Sequence, residues 1–203
     1  MVNGLMMEDL KWKIILASNS PRRKQLLAGL DIPFEVRVLQ NIDESYPHNL
    51  PVSEIAEFIS RKKASAYLQT MSSDELVITA DTVVILGQQV MGKPHDETEA
   101  KHMLSALSGH THQVTTGVTL STHNRQLCFS VTTDVTFKKL SSDEIDYYVS
   151  TYRPTDKAGA YGIQEWIGYI GVTALQGSYF NVMGLPVQRI YEALRTFCET
   201  PSK

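Results

Sequence analysis

The residues of this sequence most able to do chemistry form a turn rich in hydroxyls and arginines, Ser18-Asn19-Ser20-Pro21-Arg22-Arg23. The turn follows the apolar run Ile14–Ala17, and Ser20 and Pro21 suit the cap and the first position of a helix. A helix start offers free backbone N–H groups to an anion, and arginines are unfavourable there unless an anion lies nearby. The turn therefore predicts phosphate binding; a capped helix with two solvated arginines is the alternative.

A second candidate is the carboxylate of Asp81, which directly follows the apolar run Leu76–Ala80. We expect that run to be a strand ending at Asp81, which would place the carboxylate at the sheet edge where open α/β sheets bind ligands. A charge there requires a basic partner or a metal ion, whereas the alternative is a turn capped together with Thr82. Other charged residues are ambiguous when taken singly: Glu44, Lys63, Lys93 and the pair Asp156-Lys157.

The elements that must position these residues alternate between strands and helices. Apolar and β-branched runs predict strands at 14–17, 34–39, 76–80, 83–86, 89–91, 113–120 and 127–140. Capping residues and apolar stripes predict helices opening near Ser20, Ser53, Asp96, Ser141 and Pro186, with capping boxes at Asp96/Glu99 and Ser141/Glu144. Because 83–91 and 113–140 read as antiparallel hairpins, the predicted fold is α/β with a mixed sheet. The polar, glycine-rich stretches 156–164 and 176–186 are the expected location of a site.

The composition limits the class of protein. The 203 residues, 42% of them hydrophobic and with a net charge of -3, are typical of one globular domain. The near-neutral charge argues against nucleic-acid binding, which needs a basic face. Cys128 and Cys198 form no C-x-x-C pair, and His110-x-His112 reads as a helix exit rather than a metal site. With no apolar run long enough for a signal peptide or a membrane span, we expect a cytoplasmic protein.

A series of motifs, taken together and in order, resembles the Maf family of nucleoside triphosphate pyrophosphatases in its bacterial dTTP/UTP branch. The motifs are Ile15–Arg23, Ala80–Val83, Gly92–Pro94, Leu107–Val114, Asp156–Gln164, Gly177–Tyr179 and Val182–Pro186. The resemblance implies an inosine-triphosphatase-like α/β fold, in which an elongated mixed sheet is flanked by helices and a central cleft separates two lobes. It also implies hydrolysis of a nucleoside triphosphate to the monophosphate and pyrophosphate, with a divalent cation (Mg²⁺ or Mn²⁺), by a homodimer.

The same resemblance assigns roles to residues of this chain. Asp81 matches the catalytic residue, usually the proton acceptor, and five residues match other positions of the cleft: Ser18, Arg23, Glu44, Lys63 and Lys93. Carboxylates are the hard oxygen ligands that Mg²⁺ prefers, so we expect Glu44 and Asp81 to hold the metal. We expect the phosphates to contact the others, Ser18, Arg23, Lys63 and Lys93. Whether Asp81 acts as base, ligand or both stays open at this point.

Substrate choice in the family depends on positions matched here by Arg22, Thr82 and Gln164, whose identities are those of the dTTP/UTP branch. The sister branch, which resembles 7-methyl-GTP hydrolases, has Trp, Gln and Glu in their places. An amide such as that of Gln164 can pair with both O4 and N3–H of uracil. We therefore expect dTTP and UTP as substrates, and modified pyrimidine nucleotides such as pseudo-UTP or 5-methyl-UTP as alternatives.

A non-enzymatic function is the other alternative, because the Maf family has also been linked to septum formation and cell division. In that reading the chain would be a nucleotide-binding regulator without significant hydrolysis. We expect residues 1–10 to be a loose N-terminal extension relative to the family pattern, residues 11–199 a single Maf-like domain, and residues 200–203 a C-terminal tail.

Overall fold

A seven-stranded mixed sheet forms the centre of the protein in a computed structural model, which describes residues 11–199. Its strands are β1 (Lys13–Leu16), β2 (Phe34–Val36), β3 (Glu75–Leu86), β4 (Gln89–Met91), β5 (Thr111–Ser121), β6 (Gln126–Phe137) and β7 (Val172–Gln176). The strand order is β2-β1-β3-β5-β6-β7, with β4 paired to β3. β1 is parallel to both β2 and β3, and the other pairs are antiparallel. The predicted mixed sheet is confirmed.

Helices cover both sides of this sheet. They are α1 (Pro21–Ala28), α2 (Ile55–Tyr67), α3 (Glu97–Leu107), α4 (Ser142–Tyr152), α5 (Trp166–Gly171), α6 (Tyr179–Val182) and α7 (Val187–Glu199). Within residues 11–199, none of them is long and apolar enough to span a bilayer. The expected extension at 1–10, the tail at 200–203 and the side chain of Cys198 lie outside the described residues.

Alternate residues of each strand face opposite sides of the sheet, so different helices cover the two sides. Ile14 and Ile78 pack with buried residues of α1 and α7, whereas Ile15 and Val77 pack against Tyr67 of α2. A second apolar cluster, formed by α3, α4 and α5, lies farther along β3 around Val84. The helices therefore divide into sets that hold different stretches of one long strand.

The strand β3 is longer than the sequence pattern predicted. We expected it to end at Ala80, but it continues through Asp81 and Thr82 to Leu86. The continuation is stable because β5 pairs with β3 residue by residue, including Asp81 with Gly117, and supplies the backbone partners that the local sequence does not reveal. β1, in contrast, stops at Leu16, so Asp81 lies in mid-strand but beyond the end of its parallel neighbour.

Most helix starts agree with their sequence signals. Ser20 caps α1 through its contact with the amide of Arg23, and Ser141 forms the predicted capping box of α4. The predicted capping box of α3 is only half formed. The side chain of Asp96 accepts from the amide of Glu99, but the carboxylate of Glu99 accepts from the amide of His95 and not from that of Asp96. Other differences are shorter elements at β2 and α2, and the unpredicted short elements α5, β7 and α6 within the glycine-rich region.

A glycine sets the distance between α2 and the sheet. A Cβ added to Gly117 of β5 would lie 2.2 Å from the backbone of Ala56 and Glu57, at the start of α2. The helix therefore rests directly on the strand backbone, and a hydrogen bond of 2.9 Å between the hydroxyls of Ser60 and Thr119 holds it one turn farther on. Because Lys63 follows on the same helix, this contact fixes the position from which its side chain reaches the cleft.

The outer part of the parallel sheet is held by a buried ion pair. The guanidinium of Arg37 donates two hydrogen bonds, of 2.8 and 2.6 Å, to the two carboxylate oxygens of Glu75. The amide of Ser72 donates to the same carboxylate. Glu75 is 5% exposed, and these hydrogen bonds, Arg37 first, lower its pKa to about 2.

We expect Glu75→Gln to destabilise the protein by about 2–3 kcal/mol at pH 7, the scale of the pKa shift. Because the folded-state pKa of Glu75 lies below its unfolded value, the ionised pair stabilises fully above about pH 4.5 and is lost as the pH falls towards 2. Denaturant unfolding of both proteins at pH 7 and pH 3 measures the difference. A difference that is the same at both pH values would contradict the assignment.

Candidate active site

A cleft of about 780 Å³ is lined by residues of the turn after β1, of α1, α2 and β3, and of the segment between α4 and α5. This volume is within the range typical of small-molecule sites. The residues that the sequence predicted for a site all line it: Ser18, Arg22, Arg23, Glu44, Lys63, Asp81, Thr82, Lys93 and Gln164. The two polar stretches expected to build a site, 156–164 and 176–186, both contribute to its wall.

The carboxylate of Asp81 is held by a lysine from a different element. The ammonium of Lys63, on α2, donates to Asp81 Oδ1 at 2.8 Å and lies 3.1 Å from Glu44 Oε2. Asp81 and Lys63 are nearly buried, with side chains 14% and 13% exposed, whereas Glu44 is open to solvent. Within the side chains that the structure describes, Asp81 Oδ2 has no hydrogen-bond partner. One oxygen is therefore fixed and the other is left for a ligand.

The two carboxylates also form a donor set for a cation. Glu44 and Asp81 contact the same ammonium, so they converge on one position that already holds a positive charge. Over residues 11–197, no group of three or more Asp, Glu, His or Cys side chains is arranged to hold a metal. Two carboxylates fit Mg²⁺ if the substrate's phosphates and water complete the coordination, which is how this ion is commonly bound.

Thr82, next to Asp81, faces the opposite side of the sheet and is held by Arg23. The Arg23 guanidinium donates to Thr82 Oγ1 at 3.0 Å, to the carbonyl of Ala80 at 2.7 Å and to the carbonyl of Gly184 at 2.8 Å. Burial lowers the pKa of Arg23 from its ordinary value, and the charge of Asp81 acts in the opposite direction. Arg23 thus ties α1 to β3 and to the loop before α7. The phosphate contact expected of it stays a prediction.

Arg22 makes a contact that the sequence did not reveal. Its guanidinium donates to Asp156 Oδ2 at 2.9 Å, across the cleft from a residue 134 positions away. Lys157 binds the other oxygen of Asp156 at 2.7 Å and lies 3.1 Å from Glu165 Oε1. Burial acts to raise the pKa of Asp156, but the hydrogen bonds from Lys157 and Arg22 outweigh it, so the pKa is lowered. Asp156, ambiguous in the sequence, is part of the cleft.

Gln164 presents an unsatisfied acceptor at the wall of the cleft. Its Oε1 is buried and has no hydrogen-bond partner among the described residues. A buried acceptor without a donor costs about 1–3 kcal/mol, so a ligand that supplies an N–H gains by filling it. Gln164 belongs to a turn closed by a hydrogen bond of 3.0 Å from the amide of Glu165 to the carbonyl of Gly162.

The remaining residues predicted to bind phosphate, Ser18 and Lys93, also line the cleft. Ser18 is buried, and its hydroxyl accepts from the amide of Ser20 at 3.2 Å. Lys93 is exposed and has no ion pair within the described residues, so its charge is available to a ligand. The cleft contains five basic side chains, Arg22, Arg23, Lys63, Lys93 and Lys157, against the carboxylates of Glu44, Asp81 and Asp156. That excess of positive charge suits a polyanion.

His112, the second histidine of the His110-x-His112 motif, is a buried structural residue. His112 is buried, and its Nε2 shares a hydrogen bond of 2.7 Å with the hydroxyl of Tyr161, which lines the cleft. Burial lowers the pKa of His112 to about 4, so the ring is neutral near pH 7. The rings of His112, Tyr161 and Phe137 meet edge to face and support the floor of the cleft.

Comparison with known proteins gives relatives over almost the whole chain. Residues 13–197 match the family model described as Maf-like protein. A dTTP/UTP pyrophosphatase of Phocaeicola vulgatus is 61% identical over 191 residues, which cover 94% of this chain and 99% of the relative. One from Parabacteroides distasonis is 58% identical, covering 95% and 100%. Among solved structures, the Staphylococcus aureus Ham1 protein aligns with a TM-score of 0.49 and 15% identity, covering 91% and 99%.

The neighbouring arginines provide a matched pair of variants. We expect Arg23→Lys to destabilise the protein by about 2–3 kcal/mol, because one ammonium cannot reach three fixed acceptors and leaves buried carbonyls unpaired. Arg22→Lys should cost only about 0–1 kcal/mol, since it changes a partly exposed ion pair. Denaturant unfolding measures both. Equal losses would show that Arg23 is not the clamp described.

Proposed function

The chain belongs to the Maf family, and we propose that it hydrolyses dTTP and UTP to the nucleoside monophosphate and pyrophosphate. The observation that carries this proposal is the carboxylate of Asp81, fixed through one oxygen by Lys63 and free at the other, in a cleft with an excess of positive charge. Curated relatives more than half identical to the chain are named dTTP/UTP pyrophosphatase.

We assign the reaction to attack of water on the α-phosphorus. Asp81 Oδ2 accepts a proton from the attacking water, whose oxygen bonds to the α-phosphorus. The bond from that phosphorus to the α–β bridging oxygen breaks, and the electron pair leaves with pyrophosphate. Lys63 keeps Asp81 in place through Oδ1, so the base needs no reorganisation during the step.

The leaving group is stabilised by cations on the same side of the cleft. Lys93, which has no ion pair within the described residues, can bind the β- and γ-phosphates as negative charge develops on the pyrophosphate. The first turn of α1, with Ser18 before it, adds backbone N–H groups and a hydroxyl. Asp156 competes with phosphate for Arg22, so a bound triphosphate can take over that guanidinium.

A divalent cation belongs to this proposal, with Glu44 and Asp81 as its protein ligands. When bound with the triphosphate, Mg²⁺ or Mn²⁺ would neutralise phosphate charge and acidify a bound water. Its support here is that Glu44 and Asp81 lie close enough together to contact one ammonium, while Asp81 Oδ2 has no partner among the described side chains; substrate oxygens and water would complete the coordination.

Recognition of the base falls to Gln164. Its unpaired Oε1 is an acceptor for the N3–H of uracil or thymine, and its amide N–H can donate to O4. The Oγ1 of Thr82 is already hydrogen-bonded to Arg23 and Thr116. We therefore expect Thr82 to contribute to substrate choice through the shape of its side chain and not through a free hydroxyl. Modified pyrimidines that keep N3–H and O4 present the same edge, so this recognition extends to them.

The proposal also covers the setting of the enzyme: residues 11–199 act as one domain, in the cytoplasm, as a homodimer. The exposed rings of Tyr169, Tyr179 and Phe180 support self-association, since exposed apolar side chains in proximity commonly mark interfaces. The near-neutral charge supports a small-molecule ligand rather than nucleic acid. Regulation without hydrolysis, the alternative, gives no reason for a positioned, half-free carboxylate in the cleft.

We expect Asp81→Asn to lower the rate of pyrophosphate release from UTP and dTTP by about 100-fold or more, because the amide cannot accept the proton as a carboxylate does. Binding should persist, since the phosphate-binding side is unchanged. Steady-state release with Mg²⁺ measures the rate, and calorimetric titration with a non-hydrolysable UTP analogue measures binding.

The control is Asp146→Asn, which removes an exposed carboxylate paired with Lys101 on the surface between α3 and α4. Its rate should equal that of the wild type. Wild-type turnover in Asp81→Asn would remove Asp81 from the reaction, and an inactive wild type that still binds nucleotide would favour the regulatory function.

A further inference from the structure

The turn that carries Gln164 is fixed at both ends by one tyrosine. The hydroxyl of Tyr148, on α4, accepts from the amide of Gly162 at 3.0 Å and donates to Glu165 Oε2. Tyr148 is fully buried, and burial, with Glu165 as the next cause, raises its pKa from the ordinary value, so it stays protonated and donates. The backbone on one side of Gln164 and the carboxylate on the other are thus tied to the same atom.

The carboxylate of Glu165 and the nitrogen end of the Gln164 amide both lie over the same glycine. A Cβ placed on Gly162 would be 2.9 Å from Gln164 Nε2 and 3.1 Å from Glu165 Oε2, so both atoms border the space above its bare Cα. The opposite end of the amide, Oε1, is the buried atom without a partner. The charge of Glu165 favours this orientation, because the amide nitrogen carries the positive end of the dipole.

The orientation of the Gln164 amide determines which pyrimidine base it can hydrogen-bond. Uracil and thymine present a donor at N3 and an acceptor at O4, whereas cytosine presents an acceptor at N3 and a donor at N4. A glutamine that is free to rotate by half a turn serves either pattern. The rotated amide would place Gln164 Oε1 over Gly162, on the side where the negative oxygen of Glu165 lies, and that arrangement is repulsive.

Lys157 holds that carboxylate in place. Lys157 is 8% exposed, and its ammonium lies 3.1 Å from Glu165 Oε1, while Tyr148 binds Oε2. Both oxygens of Glu165 therefore have donors, and the group cannot swing away from the turn without breaking two contacts. Glu165 was not singled out in the sequence, because its contact with Tyr148, 17 positions away, follows no helical or strand period.

We propose that Glu165 is a positioning residue that fixes the Gln164 amide with its oxygen as the free acceptor, and so selects pyrimidine nucleotides that carry N3–H over cytidine nucleotides. The inference rests on the proposed function, since it concerns the base edge of the same site. In this proposal Glu165 affects only the discrimination between uracil and cytosine, whereas Asp81 and the basic residues carry out the phosphate chemistry.

The test compares UTP with CTP in Glu165→Gln, which removes the charge and keeps the size of the side chain. We expect the ratio of kcat/KM for UTP over CTP to fall by about tenfold, mainly through a higher KM for UTP, while kcat changes little. In a Gln164→Ala background, Glu165→Gln should leave the ratio unchanged, because a positioning residue acts only through the group it positions. Glu57→Gln, an ion-paired glutamate of similar exposure outside the cleft, should keep the wild-type ratio.

The same ratio is measured as Kd for α,β-methylene-UTP and α,β-methylene-CTP, so that the outcome does not depend on hydrolysis. Absence of pyrophosphate release from wild type would contradict the proposed function, whereas the binding ratio would still test Glu165. An unchanged ratio in Glu165→Gln, or UTP and CTP affected equally, would overturn the inference. If that variant fails to fold, Tyr148→Phe, which removes one donor to Glu165, should lower the ratio in the same direction, and an unchanged ratio there would also overturn it.

Discussion

The structure depends on β3 continuing past the end of its parallel neighbour. Over Glu75–Ile78 the strand is paired with β1, and from Val84 it is paired with β4, but between these stretches, over Thr79–Val83, only β5 pairs with it. Because side chains alternate along a strand, the uncovered stretch sends Asp81 towards α2 and Thr82 towards α1. One strand thus supplies the carboxylate that we propose as the base, and also a residue that anchors the opposite wall of the cleft. Lys63 and Arg23, on different helices, fix the two in place.

The cleft keeps its charged groups usable by pairing each carboxylate with a cation before any ligand binds. Lys63 lies between Glu44 and Asp81, and Arg22 and Lys157 hold Asp156. Each cation holds its carboxylate in place at the cleft, and Asp81 keeps one oxygen without a partner among the described side chains. In the proposed reaction a triphosphate takes Arg22 from Asp156, which Lys157 still holds, while Lys63 stays on Asp81. Neither Asp81 nor Asp156 is therefore left without a cation when the nucleotide binds.

Local signals in the sequence were enough to predict most of the elements and to single out the turn Ser18–Arg23, which lines the cleft. Ser20 and Ser141 cap helices through contacts only three residues away, and such contacts are visible as spacing. The motif resemblance supplied Asp81, Lys63 and Gln164 as members of one cleft, and their place in it is confirmed. The sequence did not reveal contacts between residues that are far apart in the chain. The extension of β3 depends on pairing with β5, and Arg22 meets Asp156 only because two distant turns face each other. The role of Glu165 depends on a buried tyrosine of another helix.

In the proposed reaction Asp81 directs water to the α-phosphorus, and pyrophosphate is the leaving group. The most direct measurement is hydrolysis of UTP in water enriched in ¹⁸O, followed by mass spectrometry of both products. We expect one ¹⁸O atom in UMP and none in pyrophosphate. Label in pyrophosphate would place the attack on the β-phosphorus and contradict the assigned roles of Asp81 and of the basic residues beyond it.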